Sequence, residues 1–293
     1  MKHLAPLPKG CGNSQSRLLR WLALTLGAGL LMVGSAQTAQ AKPALGKQWP
    51  NSKQMSFEAI DHTAWNTLLQ KYVDDDGYVA YAKWQRNKSD HRALLNYLAD
   101  LGRANPAMSS SPQARVAFWI NAYNAVTIEG ILQEYPTSSI RNHTARVFGY
   151  NIWQDLPLKV GNSEYSLEAI EHEKLRKLGE PRIHFAIVCA SVGCPRLLNQ
   201  AYTAAGLERQ LSENTRDFFS RRQNFRVDAK RGRIDVSSIL DWFGTDFGAN
   251  QSEQFRYLKK FLPDSAQRLA TNPRTTVGYL DYDWSLNDQS RKK

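Results

Sequence analysis

No internal repeat, low-complexity tract, heptad run or composition-shifted linker interrupts this 293-residue chain. That excludes solenoids, collagen-like chains and coiled coils. It leaves one continuous stretch to be read as a domain. Acidic residues are short: 27 Asp and Glu stand against 38 Lys and Arg, a formal charge of +11. Apolar runs are short as well, which rules out a multi-span membrane protein. The hydrophobic content of 42% with 22% charged residues nonetheless supplies an adequate core, so disorder is ruled out too.

The first 41 residues have the pattern of a cleavable leader. Lys2, Lys9, Arg17 and Arg20 precede an uncharged stretch from Trp21 to Ala36, and Ala39-Gln40-Ala41 gives small residues at a cleavage point after Ala41. The 16 uncharged residues fall short of a membrane span, which needs about 20. No cysteine lies near the cleavage point to carry a lipid, and Arg17 and Arg20 are not a twin-arginine pair. The expectation is a periplasmic or secreted protein. Removing 41 residues and their four cations leaves 252 residues at +7, with Cys189 and Cys194 as the only thiols. Export places both where pairing is allowed.

Local signals predict a flexible lead-in over 42–55, a domain over 56–287 and a polar tail over 288–293. Ser56 caps a predicted helix, and Tyr78–Tyr81 reads as a short strand. The run Asp74-Asp75-Asp76-Gly77 fails the EF-hand spacing, which would put Lys83 at the last ligand position. A second helix is predicted over about 89–103. Ser111-Pro112 opens a third that ends at Glu134, its middle apolar nearly all round and therefore buried. Hairpins are expected around Gly161-Asn162-Ser163 and Lys230-Arg231-Gly232, with helices over 166–177 and 205–222 and near 238–243 and 252–262. Arg182–Cys189, apolar on both faces apart from His184, reads as a central strand. Cys194-Pro195 reads as the start of a short helix. The class is α+β: a single helix-rich domain around a small mixed or antiparallel sheet, with a buried apolar helix.

Chemistry centres on Cys189 and Cys194. A thiolate could attack an acyl centre with His172 or His184 as base. His184 and Cys189 differ by five positions and so face opposite sides of a straight strand, which favours His172. The two cysteines could instead close a small structural disulfide, and His172, His184, Cys189 and Cys194 could together ligate zinc, though the Cys-x4-Cys spacing is looser than zinc sites favour. Asn121 and Asn124 lie on the buried helix and must find partners, either a loop to be tied down or a catalytic histidine or oxyanion. Arg221, Arg222, Arg226, Lys230, Arg231 and Arg233 are opposed only by Asp228. Export and the lack of interleaved aromatics argue against nucleic acid there. A solvated hairpin, or an anionic glycan or lipid headgroup of the envelope, fits better.

Five motifs in order carry a resemblance: Phe118–Ala125, Glu171-His172, Pro181–Ala186, Cys189–Pro195 and Tyr282–Asn287. They resemble the domain of unknown function 547 family over about residues 56–287, most densely from 110 to 200. Without heptads the chain looks like the secreted bacterial form and not the plant form with its added coiled coil. The resemblance implies no activity. Plant members keep the first cysteine but often have Ser at the place of Cys194, and lack a His at the place of His184. That implies Cys189 as the reactive thiol and His172 as its base, with Glu171 or Asn121 as orienter. The functional expectation is a cysteine-dependent hydrolase or acyltransferase on a peptide or amide, needing no cofactor. The alternative is a non-catalytic envelope module that binds an anionic glycan or a protein partner, with Cys189 and Cys194 in a structural disulfide.

Overall fold

The computed structural model describes residues 42–145 and 150–292, so the expected leader, its expected cleavage point and Cys11 lie outside the described residues. Four helices come first: α1 (Thr63–Tyr72), α2 (Tyr81–Arg86), α3 (Lys88–Leu101) and α4 (Pro112–Glu134). The hairpin β1 (Leu158–Val160) and β2 (Ser163–Tyr165) follows, then α5 (Leu167–Ala169) and α6 (Leu207–Ser220). Strands β3 (Phe225–Asp228), β4 (Arg233–Ser237) and β5 (Thr276–Leu280) form a second sheet, with α7 (Ile239–Phe247), α8 (Gln251–Leu258) and α9 (Asp264–Ala270) between β4 and β5. β4 is central in that sheet, antiparallel to β3 and parallel to β5. The architecture is the expected α+β domain.

α4 organises the larger core. The Ser111 hydroxyl accepts the Ala114 N–H at 3.2 Å, and Pro112 takes the first position, where it lacks only a hydrogen bond no helix could use. From Val116 to Leu132 every residue is buried, so no polar stripe remains and the helix runs through the interior. Its buried polar groups are all partnered. Thr127 donates to its own helix, Glu129 meets His91 at 2.8 Å, and the two asparagines reach across to loops. A smaller core packs α7, α8 and α9 on the β3–β4–β5 sheet around Phe185, Phe218, Phe219, Ile234 and Val236. Tyr282 packs against both cores.

The segment expected to be a central strand is not one. Pro181–Phe185 winds as a 3₁₀ helix, and the chain then runs on without a β partner. The burial that suggested a strand is real, since residues 182–188 are all buried. Asparagine side chains supply the hydrogen bonds that neighbouring strands would have made. Asn124 donates to the Ala186 carbonyl at 3.0 Å and accepts the Val188 N–H at 2.9 Å, and Asn214 donates to the Phe185 carbonyl at 2.6 Å. A carboxamide offers a donor and an acceptor side by side, so it can pair with an extended backbone as a peptide does.

Other expectations shift by shorter distances. Ser56 opens only a 3₁₀ turn over Phe57–Ala59, and the helix begins at Thr63, whose N–H is accepted by Asp61 at 2.8 Å. Of Tyr78–Tyr81 only Val79 makes β bridges, and Tyr81 already begins α2. No helix starts at Cys194, so no helix dipole acts on that thiol. Residues 42–55, expected to be flexible, lie against the domain: Leu45 bridges to Leu158, and the Trp49 indole donates to Ala99 O at 2.7 Å. The polar tail is docked as well, with Lys292 paired to Asp74 and Asp76. Among the described residues no helix is long and apolar enough to cross a membrane.

Candidate functional site

Where the asparagine-clamped segment ends, the chain turns sharply. Ala190 adopts φ +58°, the left-handed region that residues with a Cβ avoid. Conformations of this kind cost on the order of 1–3 kcal/mol and persist where surrounding contacts enforce them. Here the enforcing contacts come from the C-terminal segment. Asn287 N–H donates to Ala190 O (3.1 Å), Val192 N–H to Ser285 O (2.8 Å) and Gly193 N–H to Asp283 O (2.8 Å). Gly193 is required by this close approach, since a Cβ there would meet the Asp283 nitrogen at 2.9 Å. The turn brings Cys194 back beneath Cys189.

Both cysteines are free thiols, Cys189 half-buried and Cys194 buried, so the disulfide considered from the sequence is not formed in this structure. The Cys189 N–H donates to Cys194 Sγ at 3.0 Å. The Tyr282 hydroxyl donates to Cys194 Sγ at 2.9 Å and lies 3.3 Å from Cys189 Sγ, with Ser191 Oγ at 3.7 Å from the same sulfur. A hydrogen bond from the Cys194 thiol brings Cys189 down to about 7 against the opposing effect of burial, and Tyr282 and Ser191 help. Burial and the neighbouring Cys189 sulfur push Cys194 well above the ordinary thiol value. The pair is therefore polarised toward a thiolate at Cys189.

Glu171 faces this pair. It lies on a π-helical turn, Ile170–Leu175, that continues α5. Such wide turns are rare and often found at functional sites. Burial raises the Glu171 carboxyl to about 7, and the Cys189 sulfur adds to the rise, while Arg176 and a 3.4 Å bond from the Tyr123 hydroxyl oppose it. Among the described residues no hydrogen bond joins Glu171 directly to Cys189.

The histidines are placed differently from expectation. His172 accepts a bond from Arg176 at its Nδ1 (3.2 Å), and no hydrogen bond links it to Cys189. Burial and the Arg176 charge lower its pKa. His184 stacks on Phe243 with centroids 4.3 Å apart, and its Nε2 bonds Asp246 at 2.8 Å. Burial keeps it below the usual imidazole value despite that bond. Burial alone would raise Asp246, but the two-pronged Arg176 contact (2.6 and 2.7 Å) and His184 hold it well below the carboxylate range. Neither histidine reaches the thiol.

Asn121 is not at the site. Its amide donates to Tyr202 O (2.8 Å) and accepts Tyr202 N–H (2.9 Å), which uses its donor and acceptor on a loop. The four-ligand metal reading also fails. Among the described residues no group of three or more His, Cys, Asp or Glu side chains could hold an ion, because the histidines are spent on Arg176 and Asp246. The basic hairpin is partly neutralised by Arg221–Asp217, Arg231–Asp228 and Arg233–Asp235 pairs. Tyr282, Ser191, Tyr123, Arg176 and Asp246 were not singled out from the sequence. Tyr282 had a signal in the Tyr282–Asn287 motif; Asp246 had none.

Fold and site together define a helix-rich α+β domain with a polarised cysteine pair at the seam of two cores. Residues 107–219 match the model of the family described as Protein of unknown function, DUF547. The match includes α4, Glu171, the clamped segment and both cysteines, while Asp246 and Tyr282 lie beyond it. No curated protein and no solved structure matches the chain.

Proposed function

We propose that this protein is a cysteine-dependent hydrolase or acyltransferase acting on an acyl, peptide or amide substrate, with Cys189 as nucleophile. The observation that carries the reading is the polarised sulfur beside a buried carboxyl that also titrates near neutrality. A thiolate is the reactive form, and at pH 7 about half of a thiol titrating near 7 is ionised, against roughly 1% of one at 9. Intrinsic nucleophilicity falls with pKa, which gives back about 6–10-fold of that gain and leaves a net advantage of roughly 5–8-fold.

Glu171 replaces His172 as the proton-transfer group. Near neutrality the thiol and carboxyl hold about one proton between them, so Glu171 can deliver it to a departing amine and recover it from attacking water. The two groups feel each other's charge without a hydrogen bond between them. Tyr123 orients the carboxyl, and Arg176 keeps it from rising further. His184, Asp246 and Arg176 then form the support on which the π turn rests.

The test is acylation by an activated ester. A burst stoichiometric with protein is expected, absent in Cys189→Ser and slowed at turnover in Glu171→Gln. An unchanged burst in Cys189→Ser would remove the nucleophile assignment. The location proposed with this activity is the periplasm or exterior, after cleavage behind Ala41. Sequencing of protein recovered from the periplasm should begin at Lys42, and an intact Met1 would refute processing.

A further inference from the structure

We infer that Cys189 and Cys194 form a working dithiol that exchanges with substrate disulfides, Cys189 attacking and Cys194 resolving. The inference rests on the thiolate reading of Cys189 but adds a redox activity that acyl transfer does not need. A nucleophilic cysteine requires no second thiol, yet a second one is built into the site. The left-handed turn at Ala190 folds the loop so that the Cys189 N–H reaches Cys194 Sγ at 3.0 Å, and one hydroxyl, that of Tyr282, contacts both sulfurs.

The two thiols differ in the way such a pair requires. Cys189 is partly buried and the more exposed of the two, whereas Cys194 is only 7% exposed, so Cys189 is the thiol assigned to meet a disulfide. The C-terminal segment pins the loop between them by its bonds to Ala190, Val192 and Gly193. The opposite displacement of the two thiol pKa values agrees with an attacking and a resolving role.

The steps balance. Cys189 thiolate attacks one sulfur of a disulfide R–S–S–R′, forming Cys189–S–S–R and releasing R′S⁻, which takes up a proton. Cys194 loses its proton, attacks the Cys189 sulfur and expels RS⁻. The products are a Cys189–Cys194 disulfide and two reduced thiols, so two electrons pass from protein to substrate. An external dithiol returns the pair to its starting state. The substrate class is an accessible disulfide of a small molecule or an unfolded peptide. A half-buried wall of Trp242, Tyr282 and Trp284, with ring centroids 4.5–5.9 Å apart, gives its apolar flank a surface.

The experiment uses the full-length chain carrying Cys11→Ser, reduced, desalted and exposed to oxidised glutathione, with intact mass read after acid quench. The expected product has lost two hydrogens, carries no glutathione and has released two equivalents of reduced glutathione. Cys194→Ser should instead accumulate one glutathione, mapped to Cys189, and Cys189→Ser should stay unmodified. Persistent glutathione on Cys189 with Cys194 present would overturn the resolving role. If iodoacetamide labels Cys189 with a midpoint near pH 7 while oxidised glutathione leaves both thiols free, exchange is overturned and the thiolate reading stands. If neither reagent reacts, both are overturned.

Discussion

The asparagine clamp on the chain entering Cys189 can be broken at one atom group. Asn124→Ala leaves the Ala186 carbonyl and the Val188 N–H without partners, in residues that are 0% and 3% exposed. An orphaned buried polar group costs about 1–3 kcal/mol, so the pair costs about 2–6 kcal/mol. That is a large share of the roughly 5–15 kcal/mol by which domains are stable. Asn121→Ala is the matched control. It breaks the same kind of two-bond clamp on the same helix, but at Tyr202, a different loop. Urea unfolding followed by tryptophan fluorescence should show both variants with lower midpoints and unchanged slope. Their thiols should then part company. Iodoacetamide labelling of Cys189, measured where both variants are folded, should keep its pH midpoint in Asn121→Ala and move toward that of an ordinary thiol in Asn124→Ala. An Asn124→Ala unfolding free energy within a few tenths of a kcal/mol of wild type would refute the energetic reasoning. Equal disturbance of the thiol by both variants would refute the positional reasoning.

Three further outcomes follow from the site. Tyr282→Phe removes a donor shared by the two sulfurs, so the midpoint of Cys189 alkylation should rise above 7, and an unmoved midpoint would dismiss the hydroxyl's role. Glu171, raised to about 7 when folded, stays protonated in the native state while the unfolded chain has already ionised, so wild-type stability relative to Glu171→Gln should fall as pH rises from about 4.5 to 7, and the difference should level off above. The span is on the order of 3 kcal/mol, and Glu171→Gln should lack it; parallel wild-type and variant curves would show that Glu171 titrates normally. Gly193→Ala would press a methyl onto the Asp283 backbone at 2.9 Å, costing about 1–3 kcal/mol in thermal unfolding, and an unchanged Tm would mean the C-terminal segment yields freely.

Much of the fold was legible because its signals are local. Ser111-Pro112 and an unbroken apolar run define α4, and small turn residues mark both hairpins. Periodicity failed at 182–189 for a physical reason: burial on all sides is common to a central strand and to a chain clamped by side chains. The need of Asn124 for a partner could be read from its place on a buried helix, but the partner, some 60 positions away, could not. The same limit hid the array of Arg176, His184 and Asp246, whose members are separated by 62 and 70 positions. The π turn carries no residue signature, so the rotation that gives Glu171 to the thiol and His172 to Arg176 was invisible. Cys189, the candidate nucleophile singled out from the sequence, lies in the polarised pair, and no hydrogen bond joins it to His172, its expected base.

A segment held by carboxamides has a property that strands in sheets lack. A strand can slip by a residue or pair with a stranger, because every neighbouring backbone presents the same repeating groups. Residues 185–188 have no such freedom, since Asn124 and Asn214 are fixed addresses on two helices and recognise particular carbonyls and a particular N–H. The register of the chain leading to the sulfur is therefore encoded by two residues and not by a sheet. It leaves no open edge for another chain to extend.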